Sequence, residues 1–167
     1  MKQRNVTKYQ LGFSMLEMAV SVSIALIIGG FAVSNYASMR VTFNKADAIN
    51  QLREDLRIAQ LESVSEGGRG VLAIASDGLS YSFGYDYLPY DKTDPIEPDT
   101  VRWLSKMPKY TKIETNKDII FNSQGNVIDK DGVLQDVEMT LYDTHTETDV
   151  IYQSVILSTT GVLNFED

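Results

Sequence analysis

Hydrophobic and polar positions divide the 167-residue chain into three unlike stretches. From Phe13 to Val33 it reads FSMLEMAVSVSIALIIGGFAV, 21 positions carrying one charge, Glu17. As a helix this stretch is about 31 Å long, matching a hydrocarbon core of roughly 30 Å. Next, Ala46, Ile49, Leu52, Leu56, Ala59 and Val64 recur every three or four residues. Asp47, Arg53, Glu54, Asp55, Arg57 and Glu62 fill the positions between, which predicts an amphipathic helix. No proline interrupts Phe13 to Glu66, and Gly67-Gly68 gives a strong stop. One continuous helix of about 80 Å is therefore expected, with Gly29-Gly30 and Asn35 as weak points.

After Gly70 the helical period gives way to strands. Val71–Ala75 is a short apolar run, and Ser76-Asp77-Gly78 reads as a turn. Leu79, Tyr81, Phe83, Tyr85 and Tyr87 alternate with small or polar residues, which puts aromatic rings on one face of a strand and into the core. Residues 86–100 hold three of the four prolines and five acids, Asp86, Asp91, Asp94, Glu97 and Asp99, and read as a solvated acidic loop. Further strands are expected at Tyr110–Glu114, Asp118–Phe121, Val133–Tyr142 and Val150–Ser158. Turns are expected at Phe121–Val127, Asp129–Gly132 and Ser158–Val162. The fold class is α+β: a long N-terminal helix, its first half transmembrane and its second half amphipathic, packed on an antiparallel β-sheet domain.

Charge and composition narrow the function classes. The net charge is −8, and the first twelve residues contribute only positive charge, Lys2, Arg4 and Lys8. Removing those three takes the remainder to −11. A surface this acidic repels phosphate backbones, so nucleic acid is not an expected partner. With no cysteine, disulfides, thiolate metal sites and cysteine nucleophiles are excluded; with one histidine, so is a multi-histidine zinc site. No acid spacing matches a calcium loop, and neither a nucleophile–base pair nor a phosphate loop stands out. No cofactor, metal or enzymatic activity is expected. His145 reads as solvent-exposed and Trp103 as a packing anchor.

Basic residues precede the apolar block and none lies in it, so the N-terminus is expected to stay cytoplasmic. A secretory signal peptide cut near Ala32-Val33-Ser34 and a plain single-pass anchor are the competing readings. Neither accounts for Glu17, since a carboxylate inside a spanning segment costs about 2–3 kcal/mol or more and usually has a partner.

The string Gly12-Phe13-Ser14-Met15-Leu16-Glu17-Met18, after a basic leader and before the apolar block, resembles the processing site of type IV prepilins and type II secretion pseudopilins. That resemblance implies cleavage between Gly12 and Phe13 by a prepilin peptidase and N-methylation of Phe13. It also implies an assembly role for Glu17, facing the N-terminal amine of a neighbouring subunit. Ser14 stands where the family often has threonine, and Met15 and Met18 where it has aliphatic residues. Residues 1–12 are then a leader, 13–36 the transmembrane and assembly helix, 37–66 its amphipathic continuation, and 67–167 the β-rich domain.

Three later segments, Ala59–Val64, Phe121–Val127 and Ser158–Val162, resemble those of H-type minor pseudopilins and FimT-like minor pilins. The implied function is a structural subunit, a minor pilin or pseudopilin, of a type IV pilus-like or type II secretion filament. Its implied partners are other subunits, the peptidase, an inner-membrane assembly platform and, before assembly, membrane lipid. Its implied location is the bacterial cytoplasmic membrane, and afterwards a periplasmic or extracellular filament. The alternative is a single-pass, membrane-anchored extracytoplasmic binding domain.

Overall fold

The computed structural model describes residues 14–93, 95–145 and 148–166. Two compact units divide between Arg40 and Val41. Helix α1, Met15–Glu66, supplies the first unit and opens the second. Its backbone is helical through Gly29, Gly30 and Asn35, so those residues do not end it. It ends at Glu66, where Gly67 takes a φ of 66° that a side chain would disfavour.

Among the described residues of the first unit the apolar side chains are exposed. The stretch Met15–Ala32 is apolar and long enough to cross a membrane, and the rest of the chain buries none of it.

In the second unit, α1 turns Ala48, Leu52, Leu56, Ala59 and Ser63 inward, a stride of three or four residues. Two residues expected on that face, Ala46 and Val64, are exposed instead; Ala48 and Ser63 take their places. Ser63 is tolerated because its hydroxyl donates to the Ala59 carbonyl at 2.8 Å.

Against this face lie nine strands: β1 Arg69–Ile74, β2 Ser80–Asp86, β3 Thr100–Lys106, β4 Thr111–Thr115, β5 Ile119–Phe121, β6 Val127–Ile128, β7 Val137–Asp143, β8 Val150–Leu157 and β9 Leu163–Glu166. All pairings are antiparallel, in a five-stranded sheet β3-β2-β1-β5-β6 and a four-stranded sheet β4-β7-β8-β9. Both sheets and the helix share one core, from Leu52, Leu56 and Ala59 to Phe83, Phe121, Met139 and Leu157.

Four sequence expectations change here. Strands β3, β6 and β9 lie where none was expected. Strand β7 begins at Val137, not Val133, because Val133 and Leu134 sit exposed around a turn. The aromatic alternation holds for Tyr81, Phe83 and Tyr85, but Leu79 and Tyr87 at its ends are exposed. The acidic segment is also not wholly solvated: Asp86 ends β2 at 2% exposure, and Ile96 packs on Val71, Ile120 and Ile128. That second small cluster pins the 87–99 loop across the outer face of the five-stranded sheet.

Candidate assembly surface

The first turn of α1 is organised by Ser14. Its Oγ accepts the Glu17 backbone N–H at 3.1 Å, and its carbonyl accepts that of Met18 at 3.1 Å. A serine with glutamate three residues on is the pattern of a helix start, and the glutamate favours the positive end of the helix dipole. Glu17 is exposed and makes no ion pair among the described residues. Farther along, the hydroxyls of Ser21 and Ser23 donate to the carbonyls of Glu17 and Ala19, both at 2.8 Å. These two hydroxyls are thus satisfied within the helix, as a hydrocarbon surrounding would require. Glu17 is the one charge from Ser14 to Met39. Gly12 and Phe13, the expected cleavage and methylation residues, lie outside the described residues.

The three later segments singled out in the sequence meet at one amide. Gln60, half-buried on α1, donates through Nε2 to the Gly125 carbonyl at 2.8 Å and the Thr160 carbonyl at 2.9 Å. The two turns are tied to each other as well, since the Val127 N–H donates to Thr159 at 2.8 Å. Gly161, at a φ of 79°, lies so close beneath Gln60 that a methyl group there would collide with the amide. A helix residue and two hairpin turns therefore form one joint; sequence adjacency gave no sign that Gln60 served both.

On the opposite flank of the helix, Asp55 Oδ2 accepts the Tyr81 hydroxyl at 2.6 Å and the Ser105 hydroxyl at 2.7 Å. Gln51 reaches Ser105 and the Lys106 carbonyl, both at 2.8 Å. Burial raises the Tyr81 phenol pKa well above its ordinary value, and the Asp55 carboxylate adds to that rise. The neutral phenol is thus held as a donor, which locks the helix to β2 and β3.

Trp103 packs as expected, stacked on Phe83 at 5.4 Å and edge-on to Tyr81 at 6.5 Å. His145 is exposed, its ring edge against Tyr110 at 4.7 Å. Asp129-Lys130-Asp131-Gly132 is a turn closed by its own backbone and the Asp129 carboxylate. Among the described residues no three acids or imidazoles gather as a metal site would require.

No protein-family model and no curated sequence matches the chain. Solved structures do. The Pseudomonas aeruginosa type IV minor pilin FimU, in two crystal forms, aligns with TM-scores of 0.54 and 0.53. Identities are 13% and 12%, over 73% of this chain and 87% and 92% of FimU. The minor pseudopilin EpsH from the type 2 secretion system of Vibrio cholerae aligns at 0.47 with 12% identity, over 73% of this chain and 94% of EpsH. The FimU alignments establish the architecture: this chain has the pilin fold.

Proposed function

We propose that this protein is a filament subunit of the type IV pilus or type II secretion kind, stored in the membrane and assembled through α1. The observation that carries the reading is the segment Met15–Ala32, apolar, unburied and carrying one acid, joined to a domain with the pilin fold. Cleavage between Gly12 and Phe13 would replace a basic leader by a single amine at the start of an apolar helix. That amine and a neighbour's Glu17 neutralise each other in a low-dielectric bundle, where either alone is costly, and this sets the register between subunits. Before assembly the basic leader holds the N-terminus on the cytoplasmic side. The partners are sibling subunits, a prepilin peptidase and an inner-membrane platform.

The test is intact-mass and N-terminal analysis of the chain co-expressed with a prepilin peptidase, beside Gly12→Ala. A mature species beginning at N-methyl-Phe13, lost in the variant, supports the reading. An uncut chain, or a cut near Ser34, returns the protein to the anchored or secreted classes. Glu17→Ala is expected to be processed normally yet fail to enter filaments.

A further inference from the structure

Beside the Gln60 joint, α1 and the β8–β9 turn enclose an open groove of about 340 Å³, walled by Arg53, Leu56, Arg57, Gln60, Val162 and Leu163. Leu56 closes its floor and Val162 stands exposed on its rim. Arg53 lies over the Phe165 ring at 4.8 Å and donates through one nitrogen to Asn50 Oδ1 at 3.5 Å, which places its guanidinium and leaves further N–H groups for a carboxylate. Among the described residues neither Arg53 nor Arg57 forms an ion pair.

The complementary surface is on the same domain. The 87–99 loop exposes Tyr87, Leu88 and Tyr90 together with Glu97 and Asp99. Glu97 has no basic partner among the described residues. Among its described residues, Ile96 is buried and the Asp99 carboxylate accepts the Tyr87 N–H at 2.8 Å.

We propose that the Arg53–Arg57 groove receives the 87–99 loop of a second copy of this chain. Apolar floor meets apolar loop residues, and arginines meet carboxylates. One copy cannot satisfy itself: Gln51 and Asp55 mark the flank of α1 facing the five-stranded sheet, whereas Arg53 and Arg57 lie on the other flank. The loop lies beyond that sheet, on its outer face. Such a contact joins unlike surfaces and therefore repeats from copy to copy. The inference rests on the filament reading for bringing copies together, and it supplies a contact between globular domains that α1 does not.

The absence of native cysteine gives a clean test in membranes of the full chain. Chains carrying Val162→Cys and chains carrying Leu88→Cys are mixed and treated with a short bismaleimide. Mixed dimers are expected, little product from either chain alone, and a ladder when both substitutions share one chain. Arg57→Glu in the Val162→Cys chain should lower the yield about tenfold, and Glu97→Arg in its partner should restore it. Equal self-linking of the single variants, linkage to a different protein only, or reversal without rescue overturns the proposal. Cross-links are scored whether or not filaments form. Processed, filament-entering subunits without the cross-link sink this contact alone, whereas an unprocessed chain sinks the filament reading.

Discussion

Leu26 and Leu52 belong to one helix, yet Leu26 is 72% exposed within the chain and Leu52 is 2% exposed. Polar groups divide the same way. In the first unit Ser21 and Ser23 bond back to their own helix; in the second Gln51, Asp55 and Gln60 reach across to strands and turns. Ser21 and Ser23 thus find their partners within the first half of α1, whose described apolar residues depend on their surroundings for contact. The second half depends on the chain that folds against it. Substitutions in one unit should disturb insertion or assembly, and those in the other should disturb folding.

The largest effect on the folding side is expected at Asp86. Its side chain is 1% exposed and Arg69's is 4%, with Arg69 Nε at 3.3 Å from Asp86 Oδ2. The same carboxylate accepts the Asp91 N–H, while the guanidinium donates to the Asp91 and Lys130 carbonyls. Asp86→Ala strands a buried guanidinium and should destabilise the globular unit by about 3–5 kcal/mol. Denaturant unfolding of the full chain in detergent, followed by Trp103 fluorescence, measures this. An unchanged midpoint would remove the pair from the account of this unit. Asp86→Leu with Arg69→Met, which removes both charges, should restore much of the loss.

A matched pair of truncations tests the comparison directly. Leu56→Ala opens a cavity between the helix and both sheets and should cost about 2–5 kcal/mol in the same assay. Leu26→Ala, identical in chemistry, should change that unfolding by less than about 0.5 kcal/mol, since Leu26 has no interior to vacate. Equal effects would contradict the division of α1 into two dependencies.

Gln60→Ala should fall next, at about 1–3 kcal/mol, because the Gly125 and Thr160 carbonyls both lose a donor. Hydrogen exchange should show the loss locally: faster exchange at Gly125 and Val127 in one turn and at Gly161 in the other, before any change in β7. Loosening of only one turn would mean the amide is not the shared joint.

What the sequence revealed follows from the range of each signal. The helix and its stop were legible because period and Gly67 act locally. The Tyr81–Phe83–Tyr85 face was legible because period two is local as well. Strand β3 was missed because Val101 and Leu104, its exposed apolar residues, are offset by three, and Trp103 was read alone. The burial of Asp86 depends on Arg69, seventeen positions earlier, brought opposite by the β1–β2 pairing. At the candidate site, Glu17 stood out because a lone acid in an apolar run needs no partner to be noticed. The Arg53–Arg57 groove is made by β8 and β9 returning to α1, and the Gln60 joint by that turn and the Gly125 turn, 100 and 65 residues away in sequence, and no local pattern reports such a return.

The smallest effect concerns acid. Burial pushes the Asp143 carboxyl pKa up, but the Lys45 ammonium at 2.7 Å and the His145 N–H at 2.8 Å outweigh it and hold it below the usual range. A carboxylate depressed in the folded state adds stability that is complete above its unfolded pKa, near 3.9, and is lost as pH falls through the folded value. Lys45 is 30% exposed, so the contribution should stay below about 1 kcal/mol. Tyr152 faces the same pair: burial pushes its phenol up to about 12, the Asp143 charge adds to the rise, and Lys45 lies over its ring. The phenol therefore stays neutral throughout the acid range and does not confuse the measurement. Stability followed downward from about pH 5 should fall less steeply in Asp143→Asn than in the parent chain, and the two curves should converge at the acid end. Parallel curves would mean that the ion pair contributes nothing. The effect should leave membrane insertion untouched, because Asp143 and both its partners belong to the unit that makes its own interior.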